Sequence, residues 1–238
     1  MNIIFAIFLF INSILYSDNL SDAINYFKNK EYKKSKELLL KAIELDQNNF
    51  KAYYYLGIVS KILGDNEDAI LALKRALEIQ PNNINLYLEL ADIYLITGNT
   101  RLAEKLCLYA LQYEKNNDKI FYILGQVYYN KKDYVKAERA FEKAIELAPE
   151  NAYYYNLLGL LYMEKKDYNK ANTAFLTAIG LDSSVYFFYY NLGLSYEKLK
   201  EWKKALDSYN KSLKLNPSFE TAAKRAKFVS RFITKKSE

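Results

Sequence analysis

Histidine is absent from this chain of 238 residues. Its absence removes the commonest general base, the usual activator of a nucleophilic serine or cysteine, and the most frequent metal ligand. A lone cysteine, Cys107, rules out an intramolecular disulfide, a cysteine-built zinc cage and a paired-thiol redox motif. There is no glycine-rich phosphate loop after a strand, no HExxH and no GxSxG. Only 7 glycines and 3 prolines are present, which argues against a loop-rich fold and for an all-helical chain held by packing alone. No catalytic residue, metal site or cofactor is expected, and no small-molecule substrate.

Aromatic residues, by contrast, reach 16%, with 24 tyrosines and 13 phenylalanines against one tryptophan. Such amphipathic rings serve cores or binding surfaces. The formal charge is +6, yet residues 220–238 hold six lysines and arginines against two glutamates, so +4 belongs to the tail and only +2 to the rest. The body is therefore nearly neutral. The tail reads as a solvated C-terminal helix, and a nucleic-acid partner is not expected.

Ile3 to Ile11 form an unbroken apolar run, IIFAIFLFI, with no charged side chain before Asp18. That length suits the apolar core of a secretory leader better than a spanning helix, which needs about 20 such residues. Ser13 and Ser17 offer cleavage points, although no lysine or arginine precedes the run. Residues 1–17 are thus read as a signal peptide or a retained N-terminal membrane anchor, and the chain as exported, periplasmic or envelope-associated.

The rest repeats with a fixed period. Gly57, Gly125, Gly159 and Gly193 fall on one 34-residue lattice, with Ala91 at the missing node. Taking that node as position 8, an aromatic stands at position 4 (Tyr53, Tyr87, Phe121, Tyr155, Tyr189) and leucine at position 7 (Leu56, Leu90, Leu124, Leu158, Leu192). Tyrosine recurs at position 11 as Tyr94, Tyr128, Tyr162 and Tyr196, with Ser60 the exception, and alanine at position 20 as Ala69, Ala103, Ala137, Ala171 and Ala205. Position 24 carries Leu73, Cys107, Phe141, Phe175 or Tyr209, and position 27 a small residue, Ala76, Ala110, Ala144, Ala178 or Ser212. These spacings put one apolar stripe on each of two helices per unit. Small residues at positions 8, 20 and 27 are expected to let the two helices approach, with bulky neighbours filling the flanks. Asp65, Asn99, Asp133 and Asp167 are candidate caps of the second helix, and Asn83 and Asn151 of the first. Prolines in QPNN, APEN and NPSF end units.

These phrases resemble the tetratricopeptide repeat (TPR) family, whose pattern runs aromatic-x2-Leu-Gly-x2-Tyr, then Ala-x3-Phe, then Ala and Pro. Residues 152–185 and 186–219 match most of it, and six units fill 16–49, 50–83, 84–117, 118–151, 152–185 and 186–219. The resemblance implies an all-α, right-handed TPR superhelix (α-solenoid) of about six helix-turn-helix repeats. The array spans 18–219, its first unit a degenerate one or an N-terminal cap with Ala23, Ser35 and Leu39 at three nodes. Residues 220–238 read as a C-terminal capping helix and basic tail, with Ala222, Ala223, Ala226, Val229 and Ile233 toward the last repeat.

Function then lies on a surface. In the TPR family the first helices line a concave groove that binds peptides or protein segments, and the resemblance implies that positions 2, 5, 9, 12 and 13 face it. The partner-binding candidates carried over are Tyr54, Lys61, Leu88, Asp92, Tyr122, Gln126, Tyr129, Asn156, Tyr190 and Glu197. Ile62, Ile96 and Tyr153 also stand at groove positions. Carboxylate-gripping members of the family place lysines, arginines and asparagines on the first three repeats. Only Asn191 matches here, which disfavours that mode. Cys107 at position 24 reads as a small core side chain. The expected function is a non-enzymatic scaffold that binds a protein or peptide segment in the cell envelope. The alternatives are a self-assembling module and a membrane-anchored adaptor facing the cytoplasm.

Overall fold

Short polar breaks at regular spacing cut the chain into helices of nearly equal length. In the computed structural model, residues 19–234 are described, and among them thirteen helices and no strand occur. The leader reading of residues 1–17 lies outside the described residues. The chain divides into two compact units after Lys115. The first contains α1 (19–28), α2 (Tyr32–Leu45), α3 (Phe50–Leu63), α4 (Asn66–Ile79), α5 (Ile84–Ile96) and α6 (Thr100–Tyr113). The second contains α7 (Asp118–Asn130), α8 (Tyr134–Leu147), α9 (Ala152–Glu164), α10 (Tyr168–Leu181), α11 (Tyr186–Lys198), α12 (Trp202–Leu215) and α13 (Glu220–Thr234). Odd- and even-numbered helices pair as the first and second helices of successive repeats. The fold is the all-α helix-pair architecture of a TPR solenoid.

Every turn within a pair uses one device. Position 15 is left-handed throughout: Lys30, Lys132, Lys166 and Lys200 have φ of 59–62°, and Gly64 and Gly98 have φ of 84° and 80°. That conformation lets the next residue return a backbone N–H to a carbonyl five positions back, as Asp133 does to Tyr128 and Asp167 to Tyr162, each at 2.9 Å. Asp133 and Asp167 then cap the second helix by accepting from the N–H of Lys136 and Lys170. Asp65 makes no such cap. Its carboxylate instead accepts from Lys36 of the preceding repeat at 2.6 Å. Asn99 and Asn83 are likewise at the expected places without a side-chain cap, whereas Asn49, Asn117 and Asn151 do cap. In the former the turn's backbone bonds suffice.

Inside each pair the small node does more than bring backbones together. A Cβ added at Gly57 would lie 2.5 Å from Leu73, one at Gly125 2.4 Å from Phe141, one at Gly159 2.5 Å from Phe175 and one at Gly193 2.5 Å from Tyr209. Position 8 is thus the seat of the position 24 side chain, which sits directly over it rather than beside it. At the remaining node the volumes are exchanged: Ala91 brings a methyl, and its lattice partner shrinks to Cys107, both fully buried. The degenerate first repeat departs from this exchange, keeping Ala23 at position 8 and Leu39 at position 24 in one core cluster, and Ser35 Oγ donates to the Ala23 carbonyl at 2.8 Å.

The last helix, α13, lays Ala222, Ala226 and Val229 inward, with Ile233 half-buried against the Ala205–Tyr209 core. Ala223 is exposed and takes no part in the cover.

Candidate functional site

In the first unit the candidates Tyr54, Lys61, Leu88 and Asp92 lie on α3 and α5. Tyr54 is half-buried, stacked on Phe50 with ring centroids 6.1 Å apart and edge-on to Tyr55 at 5.5 Å. Burial, followed by the Glu89 carboxylate, pushes its phenol pKa up. Lys61 reaches across to the next repeat, donating to Glu89 Oε2 at 2.5 Å and Asp92 Oδ2 at 3.0 Å. Burial alone would lower the ammonium's pKa, but the two carboxylates outweigh it and hold the group above its ordinary value. The trio sums to −1, a locked acidic centre. Ile62 on α3 and Ile96 on α5 are 45% and 61% exposed. Leu88 points the other way. At 4% exposure it is core and presents nothing to a partner.

In the second unit α7 carries Tyr122, Gln126 and Tyr129, all half-buried. The Tyr122 ring packs against Tyr154 of α9 at 5.4 Å, and the Tyr154 hydroxyl donates to Asp118. Burial, with Glu164 and Tyr134 nearby, pushes the Tyr129 phenol up. On α9, Tyr153 is half-exposed and touches Phe187 and Phe188 at 5.9 and 5.4 Å. Asn156 is buried, its Oδ1 accepting from Asn191 Nδ2 at 2.8 Å. Two asparagines thus satisfy one another between α9 and α11, and Asn191 is not offered to a partner's terminus.

The α13 end claims two more candidates. Tyr190 lies 5.0 Å from the ring of Phe219 and 5.8 Å from that of Tyr209. Glu197 accepts from Tyr209 at 2.7 Å and from Arg225 of α13 at 3.0 Å. The structure therefore gathers Tyr54, Lys61 and Asp92 in one unit and Tyr122, Gln126 and Tyr129 in the other. Leu88 and Asn156 are interior, and Tyr190 and Glu197 are already engaged. The residues overlooked in the sequence are Glu89, Asp118 and Tyr154, at positions 6, 1 and 3. For Glu89 a signal existed, since it and Asp92 follow Lys61 by 28 and 31 residues, one repeat less about two helical turns and about one.

Cys107 is fully buried, and burial, then the charges of Asp92 and Glu104, push its thiol pKa up to about 12. Among the described residues no helix is long and apolar enough to cross a membrane.

Residues 27–152 match the family model described as "Cytochrome c-type biogenesis protein H TPR domain", and 140–171 and 186–219 match tetratricopeptide repeat models. The last match coincides with a unit of the 34-residue lattice. No curated protein matches the chain. Among solved structures, the anaphase-promoting complex hetero-tetramer Cut9-Hcn1 is similar with a TM-score of 0.80 and 22% identity, over 90% of this chain and 42% of that one. A tetratricopeptide repeat protein from Parabacteroides merdae gives 0.78 and 14% identity, over 90% and 84% of the two chains. YrrB, described as "a TPR protein with an unusual peptide-binding site", gives 0.56 and 21%, over 79% and 97%.

Proposed function

Because the chain belongs to the tetratricopeptide repeat family, we propose that it is a non-catalytic scaffold holding an extended or helical protein segment against the groove face of its first helices. The observation that carries this reading is the placement of large side chains at groove positions. Ile62, Ile96 and Tyr153 remain 45–61% exposed there, although such residues are ordinarily withdrawn from water. Rigid rings and branched aliphatics contribute contact area at low entropic cost, and the partly satisfied polar groups between them supply register. The peptide-binding site of YrrB, a protein of the same fold, supports this use of the repeat surface.

The leader-like run Ile3–Ile11, together with the family description of a cytochrome c-type biogenesis TPR domain, supports a role at the cell envelope, in assembly of exported or membrane-tethered proteins. Intact-mass measurement of protein purified from its native cell reports whether residues 1–17 have been removed.

Photo-crosslinking tests the groove. A crosslinker placed at Tyr122 or Tyr153 of the full chain, both at groove positions of the second unit, is expected to trap one and the same partner segment, and one at Arg139, exposed on α8, to trap none. Equal trapping from Arg139 overturns the groove assignment.

A further inference from the structure

The charge of this chain is more lopsided than its total suggests. Residues 198–238 carry twelve lysines and arginines against four acids, a net of +8, while the preceding 197 residues net −2. Among the described residues, 198–234 hold ten of those lysines and arginines against three acids, in the last helices of the second unit together with an unusual aromatic cluster. On α13 the small residues Ala222, Ala226 and Val229 face inward, and Phe228 and Phe232 stay outside, 43% and 37% exposed. Burying a phenylalanine gains more than burying an alanine, so packing of the last repeat alone gives no reason for this partition.

The two rings are not scattered. Phe232 stacks on Trp202 of α12 with centroids 4.5 Å apart and planes 16° from parallel, and Phe228 meets Phe232 edge-on at 5.1 Å. Phe232 and Trp202 border an open cleft of about 420 Å³ that is also lined by Lys200, Glu201, Lys203, Lys204 and Ile233. Glu201 is matched by Lys204 at 2.5 Å, which leaves Lys200 and Lys203, both exposed, as surplus cations at the cleft. Lys227 and Arg231 continue the basic surface along α13.

We propose that this end of the second unit docks on an anionic membrane surface, with Trp202, Phe228 and Phe232 entering the headgroup layer and the surrounding lysines pairing with lipid phosphates. Aromatic rings beside lysines are the composition of an interfacial contact. Charge complementarity selects the occupant, since a neutral bilayer offers no partner to the exposed ammoniums of Lys200, Lys203 and Lys227. Among polyanions, lipid fits better than single-stranded nucleic acid. A base needs an open ring face to stack on, and here Trp202 and Phe232 spend a face on each other. The exposed parts of Phe228 and Phe232 offer hydrocarbon, which a bilayer interface accepts without stacking.

Flotation of the full chain with vesicles tests this. Vesicles of phosphatidylglycerol and phosphatidylcholine are compared with phosphatidylcholine alone, so that any contribution of the apolar run Ile3–Ile11 appears equally in both. Preferential binding to the anionic vesicles is expected, weakening as salt rises from about 0.05 to 0.5 M. Lys200→Glu with Lys203→Glu, both on the exposed surface, is expected to weaken that preference at least about tenfold. Phe228→Ser with Phe232→Ser is expected to weaken it similarly while the thermal transition stays in place. Equal binding to both vesicles, or a charge-reversed variant that floats like the parent, overturns the proposal. So does tight binding of a 20-nucleotide oligothymidylate without anionic-vesicle binding, or a dimer by light scattering that Phe232→Ser dissolves.

Discussion

The phenol of Tyr209 donates to one oxygen of Glu197 at 2.7 Å, and Arg225 donates to the other at 3.0 Å. Because the Tyr209 ring also seats on Gly193, this bond links the two helices of the last repeat and the helix that closes the array. Burial and the Glu197 carboxylate push the Tyr209 phenol well above its ordinary range. Its folded pKa is raised, so its contribution to stability is complete below pH 10, where the unfolded phenol ionises, and is lost as pH climbs beyond. Tyr209→Phe is expected to cost about 1–2 kcal/mol at neutral pH by freeing one side of Glu197. It should also shallow the alkaline decline by about 1.4 kcal/mol per pH unit. Between pH 6 and 8 the urea midpoint of the parent should be flat, since the chain has no histidine and its thiol is held near 12.

Gly125→Ala places a methyl 2.4 Å from the Phe141 ring, and is expected to destabilise by about 2–3 kcal/mol. Phe141→Cys alone opens a cavity and costs a comparable amount. Together they reproduce the Ala91–Cys107 arrangement of the third repeat. The double variant should therefore recover about 1–3 kcal/mol relative to the sum, read from a double-mutant cycle in urea. Strict additivity would refute the seating of position 24 on position 8.

Lys166 holds a left-handed backbone at φ 60°. Glycine occupies the same turn position at 64 and 98 without that steric cost. Lys166→Gly is expected to stabilise by about 0.5–1 kcal/mol, and Lys166→Val, branched at Cβ, to destabilise by more than about 1 kcal/mol. Thermal melts of the two variants give opposite signs.

Lys61→Met leaves Glu89 and Asp92 facing each other half-buried, with an expected loss of about 1–2 kcal/mol at pH 7. Salt identifies the cause. The loss comes from bringing two carboxylates together, so the gap between variant and parent should narrow as ionic strength rises from about 0.05 to 1 M. A gap independent of salt would assign the loss to packing.

Much of this was legible in the sequence because the repeat states itself five times. The helix pairs, their turns and the buried stripes follow from residues in register, as does the burial of Cys107. What escaped were contacts whose partner lies outside a single unit. The commitment of Glu197 depends on Arg225, 28 residues later on a helix with no repeat partner. The burial of Asn156 depends on Asn191 extending across from the next first helix. Asp65 left its capping role because Lys36, 29 residues earlier, offered a charge. Leu88 sits at a groove position by number, yet it is buried among its neighbours at 4% exposure. Positional transfer gives the side of a helix, and its neighbours decide whether a side chain there is still available.

The pairing of positions 8 and 24 also limits how such a chain can be recombined. Joining α5 to α8 at the mid-repeat turn would set Phe141 against the methyl of Ala91, and joining α7 to α6 would leave Cys107 over the hollow at Gly125. Either chimera breaks a core while preserving every helix and every turn. For the Ala91–Cys107 repeat, exchange is therefore tolerated at the junctions that follow the second helix and not at the mid-repeat turn. The heritable module is therefore the matched pair, and duplication of whole units is the route by which an array of this kind can lengthen without a compensating substitution.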